Sequence, residues 1–447
     1  MDVKTLSAVL RKRRTLRKHE HWDRRALEER QAGLLRELRD FATAQSPFYR
    51  ALHAGLEHRP LHELPVVTKA TLMDHWNDVV TVPELDRRRV DQHLEAMRAQ
   101  NAPRPLDRRY FVTATSGTTG HRGVFVQDSD EWSWVIASYA RANEWAGVRA
   151  GLTHRTKLAV VSSRTPWHQS ALVGATVDSR FVPNLRLDST EPLPAIVHRL
   201  NEFRPEVLVG YSSMIRLLAE EQLVGRLRIA PRSVTCSSEP VTDAIREKVR
   251  AAFGQLPFEV YAATEPAGIA AHCERHRMHL FEDLVIAEFV DENDRPVPPG
   301  IFGACVLVTV LFSRTMPLIR YAMSDSVCLS TETCDCGRPF ALITEIQGRR
   351  EESLELPGAN GGTVTVQPNV FHGAMELFPV RAWQIVQESD SLRGHVAGPS
   401  VLDLQAMERT LDAALRATGA SVKIVVDEVT EIAKTPMGKS PLIVPGT

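Results

Sequence analysis

The chain has 447 residues, 43% of them hydrophobic and 24% charged, a balance expected of a soluble globular protein long enough for two domains. A formal net charge of −1, from 54 basic and 55 acidic residues, leaves no electrostatic footprint for nucleic acid or an anionic membrane surface. Neither a signal-peptide pattern nor a long apolar segment is present, so a cytoplasmic location is expected, and the six cysteines read as thiols or metal ligands before disulfides.

The first feature in chain order is a basic run from Arg11 to Lys18, which reads as a solvated helix face. Leu27, Leu34, Leu35, Leu38 and Phe41 then recur at helical intervals among charges, predicting an amphipathic helix over about 22–41 that packs and does not catalyse. The run from Phe111 to Gly123 holds Thr115, Ser116, Gly117, Thr118, Thr119 and Gly120 in succession. Side-chain-free positions let backbone N–H groups curl around an anion, and the hydroxyls add donors to the same oxygens, so this segment reads as a phosphate-binding loop. It has neither the Gly-Lys-Ser/Thr ending of a P-loop nor a dinucleotide fingerprint.

From Lys157 short apolar runs alternate with helical stretches: 158–161, 191–203, 207–210, 213–222, 234–237, 242–253 and 258–261. That alternation predicts a largely parallel sheet. Beyond Glu265 the texture changes, because strands near 284–290 and 304–311 flank a Pro- and Gly-rich turn, the mark of a hairpin-rich subdomain. Charge density rises around Gly348, and the remaining hundred or so residues hold a helix near 403–417 and a strand near 422–426. The division expected is therefore α/β, with a large domain over 1–348 and a small α+β domain over 349–447.

Two further sets of residues carry chemistry. Cys273, His279, Cys334 and Cys336 form a thiolate and imidazole set suited to a tetrahedral structural Zn²⁺, with His272 or His276 as alternatives to His279 and buried free thiols as the alternative to metal. Lysine is scarce, nine in all, so Lys439 in Thr435-Pro-Met-Gly-Lys439 stands out as a cation held on a Pro/Gly-framed loop.

The order Thr-Ser-Gly-Thr-Thr-Gly at 115–120 resembles the signature of adenylate-forming enzymes, the superfamily of acyl-CoA synthetases, peptide-synthetase adenylation domains and luciferases. Five more segments resemble its motifs. Tyr261-Ala-Ala-Thr-Glu265 is similar to the Tyr-Gly-x-Thr-Glu element, which implies the Tyr261 ring against adenine, Thr264 on the α-phosphate and Glu265 on Mg²⁺. Ser238 and Glu239 stand where the family lines the adenine site, and Asp325 closes Arg320-Tyr-Ala-Met-Ser-Asp325, implying a carboxylate on the ribose hydroxyls. Gly348-Arg349 resembles the hinge motif, with Arg349 expected at the ribose and Glu351 at the pivot of a mobile C-terminal domain, and Lys439 matches the closing lysine that bridges carboxylate and α-phosphate. Trp167 and His168 fall where relatives place a wall of the acyl pocket.

Within the superfamily, Ala271 to Asp283, Pro317 to Tyr321, Cys334 to Arg338, Ser46-Pro-Phe-Tyr49 and Leu64 to Lys69 are similar to the phenylacetate-CoA ligase branch with its CapK-like relatives. The resemblance implies ATP-dependent adenylation of a carboxylic acid, aryl or arylalkyl, with release of pyrophosphate and transfer to CoA. ATP, Mg²⁺ and the small-molecule acid are the implied partners, without nucleic acid or membrane, and a homodimer is left open. Ala262 for glycine, Met323-Ser324 for Thr-Gly and the Leu356 to Gly362 segment depart from the family pattern. They keep open an amine acceptor, or an oxyanion such as nitrite activated for diazotisation, and a non-catalytic nucleotide-binding protein is the third reading.

Overall fold

The computed structural model describes residues 3–115, 122–148, 155–189, 191–349, 353–366, 368–375, 377–378, 380, 382–398, 402–432, 442–444 and 446. Its largest sheet has the order Asp325–Leu329, Leu342–Arg349, Met278–Leu280, Ala267–His272, Phe258–Ala263, Ser233–Ser237, Val207–Tyr211, Leu158–Ser162 and Asn184–Asp188. The last five strands run parallel, and Phe258–Ala263 is antiparallel to Ala267–His272 on its other side. Parallel strands need helical crossovers that cover both faces, which explains why runs such as Val207-Leu-Val are continuously apolar. Leu193–Phe203, Ser212–Leu223 and Asp243–Phe253 are those crossovers, and their Ile196, Leu200, Ile215, Leu218, Ile245 and Val249 share one core with Val161, Leu208 and Val234.

The expected hairpin is present as Val285–Val290 antiparallel to Cys305–Val310, extended by Tyr321–Met323. Among the elements that went unanticipated are the helices Ser129–Trp145 and Gln169–Val177 and the edge strand Asn184–Asp188. Burial of Trp132, Val135, Ile136, Arg141 and Trp145 on Ser129–Trp145 mixes a charge into its apolar face, which blurs the amphipathic pattern.

The predicted amphipathic helix spans Arg24–Gln45, capped by Asp23, and buries Leu27, Leu38 and Ala42. The basic run before it is a solvated face only in part: Arg11, Arg14, Arg17 and Lys18 are exposed, but Lys12 is not. It lies on the helix Val3–His19, where Lys12 is only 5% exposed. Its ammonium donates to Ser133 Oγ (2.8 Å) and pairs with Asp130, while Arg13 and Arg17 both pair with Glu144. The cations dock the first helix along Ser129–Trp145 because that helix presents carboxylates at matching positions.

A buried charge cluster completes this joint. Arg141 donates to both oxygens of Asp283 (2.7 and 2.5 Å), and His19 Nδ1 lies 2.7 Å from Asp283 Oδ2. Burial alone would push the Asp283 carboxyl up, but the Arg141 charge and the hydrogen bonds of Arg141 and His19 outweigh it and hold it at about 2.

Residues 354–443 build a separate core. Its four-stranded sheet has the order Lys423–Glu428, Ser391–Ala397, Ala382–Gln387 and Ile443–Val444. Asp403 accepts from Ala406 N to start the helix Leu404–Ala417, and Met407, Leu411 and Leu415, spaced by four, bury one stripe against the sheet. Among the described residues no helix is long and apolar enough to cross a membrane.

Replacing Arg141 by Met strands a buried carboxylate and should cost roughly 3–5 kcal/mol of stability, read from denaturant midpoints. Because the folded carboxyl is held below its ordinary value of 3.8, this stabilisation is present above about pH 4 and is lost as pH falls toward 2 in the parent protein. An Arg141→Met variant with unchanged stability at pH 7 would show that the cluster is incidental.

Candidate active site

The parallel strands Leu158–Ser162, Val207–Tyr211, Ser233–Ser237 and Phe258–Ala263 all end on one edge of the sheet. Ligands of open α/β sheets bind outside that carboxyl edge. The turns leaving three of these strands carry His168, then Ser238 and Glu239, then Thr264 and Glu265, and all five line a cleft of about 2480 Å³ together with Thr115, Tyr261 and Asp325. A single small-molecule site occupies roughly 300–1,000 Å³, so the cleft has room for more than one ligand.

Two hydrogen bonds organise its centre. The Tyr261 hydroxyl donates to Asp325 Oδ2 (2.9 Å), both residues being under 10% exposed. Asp325 begins the outermost strand of the large sheet and stands opposite Arg349 in the antiparallel register, which brings the backbone of Arg349 to the same place. The Tyr321 hydroxyl donates to Glu265 Oε1 (3.1 Å), fixing that carboxylate by one oxygen at the cleft wall. A half-exposed carboxylate tethered through one oxygen suits a hard divalent cation such as Mg²⁺, which takes one or two protein carboxylates and completes its shell with phosphate and water.

The phosphate-loop candidate joins two antiparallel strands, Phe111–Ala114 and Val124–Gln127. Thr115 closes its neck twice: Thr115 N donates to the Gly123 carbonyl and Gly123 N donates to Thr115 Oγ1, both at 2.9 Å. A Cβ on Gly123 would lie 2.8 Å from the Phe125 ring, so glycine is required for this closure. Ala114 N donates to the Trp167 carbonyl, seating the hairpin on the turn that carries His168. Ser116, Gly117, Thr118, Thr119 and Gly120 lie outside the described residues, as do Glu351 and Lys439.

Not every anticipated residue faces the cleft in the expected way. Trp167 is 6% exposed and packs in the core beneath the Arg122 guanidinium (4.5 Å from the ring centre), while His168 reaches the cleft. Glu239 turns its carboxylate to Ser213 N (2.8 Å) at the start of Ser212–Leu223, where a helix N-terminus favours negative charge. Ser238 beside it is exposed with a φ of 67°, a left-handed conformation uncommon outside glycine. Lys69, the first residue of Lys69–Asp74, also lines the cleft. The scarcity that marks Lys439 applies equally to Lys69 and was the signal available for it.

No family model matches the chain. A phenylacetate-coenzyme A ligase of Thermus thermophilus is 29% identical over 356 residues, covering 75% of this chain and 72% of that protein. Protein CapK of Staphylococcus aureus is 26% identical over 250 residues, 54% of this chain and 53% of its own. A 2-hydroxyisobutyryl-CoA ligase, solved in the postadenylation state with an acyl-AMP, superposes with a TM-score of 0.75 over 96% of this chain and 91% of the ligase, at 18% identity. The chain is thus similar in sequence to a phenylacetate-coenzyme A ligase and shares its overall fold with a solved CoA ligase.

Away from the cleft the fold brings Cys273, His279, Cys334 and Cys336 together, their ligand atoms all within 4.8 Å of one another. A tetrahedral zinc with sulfur ligands at about 2.3 Å sets sulfurs about 3.8 Å apart. Cys273 Sγ and Cys334 Sγ are 3.8 Å apart, and Cys336 Sγ is 3.3 Å from His279 Nε2. His279 Nδ1 donates to the Phe340 carbonyl (3.2 Å), the outer contact that points Nε2 inward. His272 and His276 do not join this set: His272 lies 3.8 Å from Glu259, and burial, with the neighbouring His276, pushes its pKa down to about 3. The four-residue set therefore fits a structural metal, with no position left for water.

Tyr261→Phe removes the donor to Asp325 and should weaken ATP binding by about tenfold while preserving the fold, since one such bond is worth on the order of 1 kcal/mol. Isothermal titration with ATP checks it, and unchanged affinity would dissociate this hydrogen bond from nucleotide binding.

Proposed function

We propose that the protein is an AMP-forming ligase: a carboxylic acid attacks the α-phosphorus of ATP, pyrophosphate leaves, and the acyl-adenylate is passed to a nucleophile, CoA in the first place. The observation that carries this reading is the convergence of Tyr261, Asp325, Thr264, Glu265 and Thr115 on one cleft at the carboxyl edge of the parallel sheet. The Tyr261 ring offers a flat face for adenine, and Asp325 offers acceptor oxygens for a vicinal diol. Thr264 and the 115–123 loop supply donors to phosphate, and Glu265 would hold Mg²⁺, which neutralises charge on the phosphates when bound. The relatives' names, a phenylacetate-CoA ligase and a 2-hydroxyisobutyryl-CoA ligase, favour CoA as acceptor and an organic acid as substrate. Catalysis on this reading is positioning plus charge stabilisation.

Lys439 is assigned to the reacting centre, on a C-terminal domain of residues 349–447 that turns about Glu351. A compact ammonium matches the charge that develops when carboxylate oxygen meets phosphorus. Lys439→Ala should lower pyrophosphate release by roughly 10²–10³ while leaving ATP binding nearly intact. An unchanged rate would remove the lysine from the mechanism, and absence of acid-dependent pyrophosphate release in the parent protein would remove the adenylation reading altogether.

Cys273, His279, Cys334 and Cys336 are assigned a structural Zn²⁺. About one zinc per chain is expected in protein prepared without a histidine tag, and Cys336→Ser should lower thermal stability more than it alters activity per folded molecule. Fully folded, active protein free of zinc would return the four residues to packing.

A further inference from the structure

The cleft continues past Thr264 between two helices. Tyr139, Ala142 and Asn143 lie on one face of Ser129–Trp145, and Gln169, Val173 and Val177 lie four apart on Gln169–Val177. The spacings, three and four along one helix and four along the other, put each set on a single stripe, so both helices turn a wall toward the same space. Ala142, Val173 and Val177 form the apolar part of that wall. Beside them stand Asn143, whose Nδ2 donates to the Tyr139 carbonyl (2.9 Å), and a hydrogen-bonded pair, in which the Tyr139 hydroxyl donates to Gln169 Oε1 (2.5 Å) and Gln169 Nε2 donates to the Thr264 carbonyl (3.1 Å).

This relay has unused valences. The Tyr139 oxygen retains an acceptor site, Gln169 Oε1 retains a second lone pair, and Gln169 Nε2 retains a second N–H. Burial pushes the Tyr139 phenol up, so it stays protonated and keeps its donor on Gln169 at every physiological pH. Gln169 is itself only 6% exposed, and its orientation is fixed at both ends of the amide. The polar spot is therefore rigid, acceptor-rich, and tied to the backbone of the segment that carries Thr264 and Glu265.

Resting on the adenylation reading, we propose that Tyr139 and Gln169 are specificity-determining residues of the acid site, and that they select an aryl acid bearing a hydroxyl or amino group on its ring. An apolar strip beside a rigid polar pair binds a planar apolar body with one polar substituent, and a ring hydroxyl or amine supplies the donor that the two spare acceptors lack. Because Tyr139 and Gln169 already satisfy each other, an unsubstituted ring leaves no group newly unpaired. Discrimination is therefore moderate, about tenfold, rather than the several powers of ten seen where a buried polar group is abandoned.

The experiment is acid-dependent pyrophosphate release by the full-length protein with benzoate and phenylacetate, with their hydroxy and amino derivatives, and with aliphatic acids of similar size, for the parent, Tyr139→Phe and Gln169→Leu. The expected result is a parent kcat/KM at least tenfold higher for one or more substituted rings than for the matching unsubstituted ring. In either variant that ratio should collapse toward one, chiefly through KM for the acid, and in Tyr139→Phe, which keeps the Gln169 bond to the Thr264 carbonyl, KM for ATP is unchanged. The parent comparison needs no variant to fold. A parent that prefers unsubstituted or aliphatic acids overturns the proposal, and so do variants that depress every acid by the same factor, which would make the pair merely structural. A parent that releases no pyrophosphate with any acid overturns the adenylation reading itself, a failure distinct from either of these.

Discussion

The hydroxyl of Tyr261 and the carboxylate of Asp325 meet at 2.9 Å although they lie 64 residues apart, and the cleft depends on how the fold brings them there. Tyr261 sits on Phe258–Ala263, the strand at which the large sheet changes from parallel to antiparallel. On one side its neighbours arrive through helical crossovers and deliver their turns to the carboxyl edge. On the other, three further strands intervene before Asp325. A flat sheet would hold these two residues strands apart; the twist and curl of a nine-stranded sheet fold the outer strand back over the centre. The same contact thus joins the two halves of the sheet and sets a carboxylate beside an aromatic face.

Charges elsewhere in the protein serve a different end. Lys12, Arg13, Arg17, Arg141 and Asp283 are buried or paired where the first helix meets Ser129–Trp145, and Glu131 on that helix accepts from Thr315 N at 2.8 Å. One helix is thereby clamped from the N-terminal side by cations and from the hairpin subdomain by backbone donors. Its opposite face carries Tyr139 and Ala142 into the cleft. Such a helix cannot shift without breaking buried ion pairs, whose rupture costs more than their formation contributes. A rigid back wall is what selective contact with a small acid requires.

Much of this was legible in the sequence. The parallel strands and crossover helices fall within a few residues of the runs that predicted them, because a strand buried on both faces must be a short apolar block and its crossover must be amphipathic. The Cys/His set and the Tyr261, Glu265 and Asp325 positions could be named from residue type and order. What could not be read was direction. Trp167 and His168 are adjacent, yet one is core and the other cleft, since both lie in the turn before Gln169–Val177, where no regular period fixes side-chain direction. Glu239 could be placed at the right edge, but not its engagement with a helix N-terminus. The pairing of Arg13 and Arg17 with Glu144, across 131 and 127 residues, is a tertiary fact that no local pattern carries.

The metal candidate and the nucleotide candidate lie on opposite ends of one strand. Leu342–Arg349 pairs with Met278–Leu280 at its beginning, where Leu342 faces His279, and with Asp325–Leu329 along its length, where Arg349 faces Asp325. Its pairing with the outer strand contains two register shifts, between Ser326 and Val327 and between Cys328 and Leu329. In a β-sheet a slip of one residue turns every side chain to the other face. A strand that already accommodates two irregularities needs its register fixed from somewhere else. Cys334 and Cys336 lie on the approach to this strand and His279 on the strand paired with its beginning, so a metal held by them with Cys273 would supply such an anchor. On the proposed structural-metal reading, the Cys/His set would act on the cleft without lining it: by holding one end of Leu342–Arg349, it would help to keep Arg349 opposite Asp325 at the other.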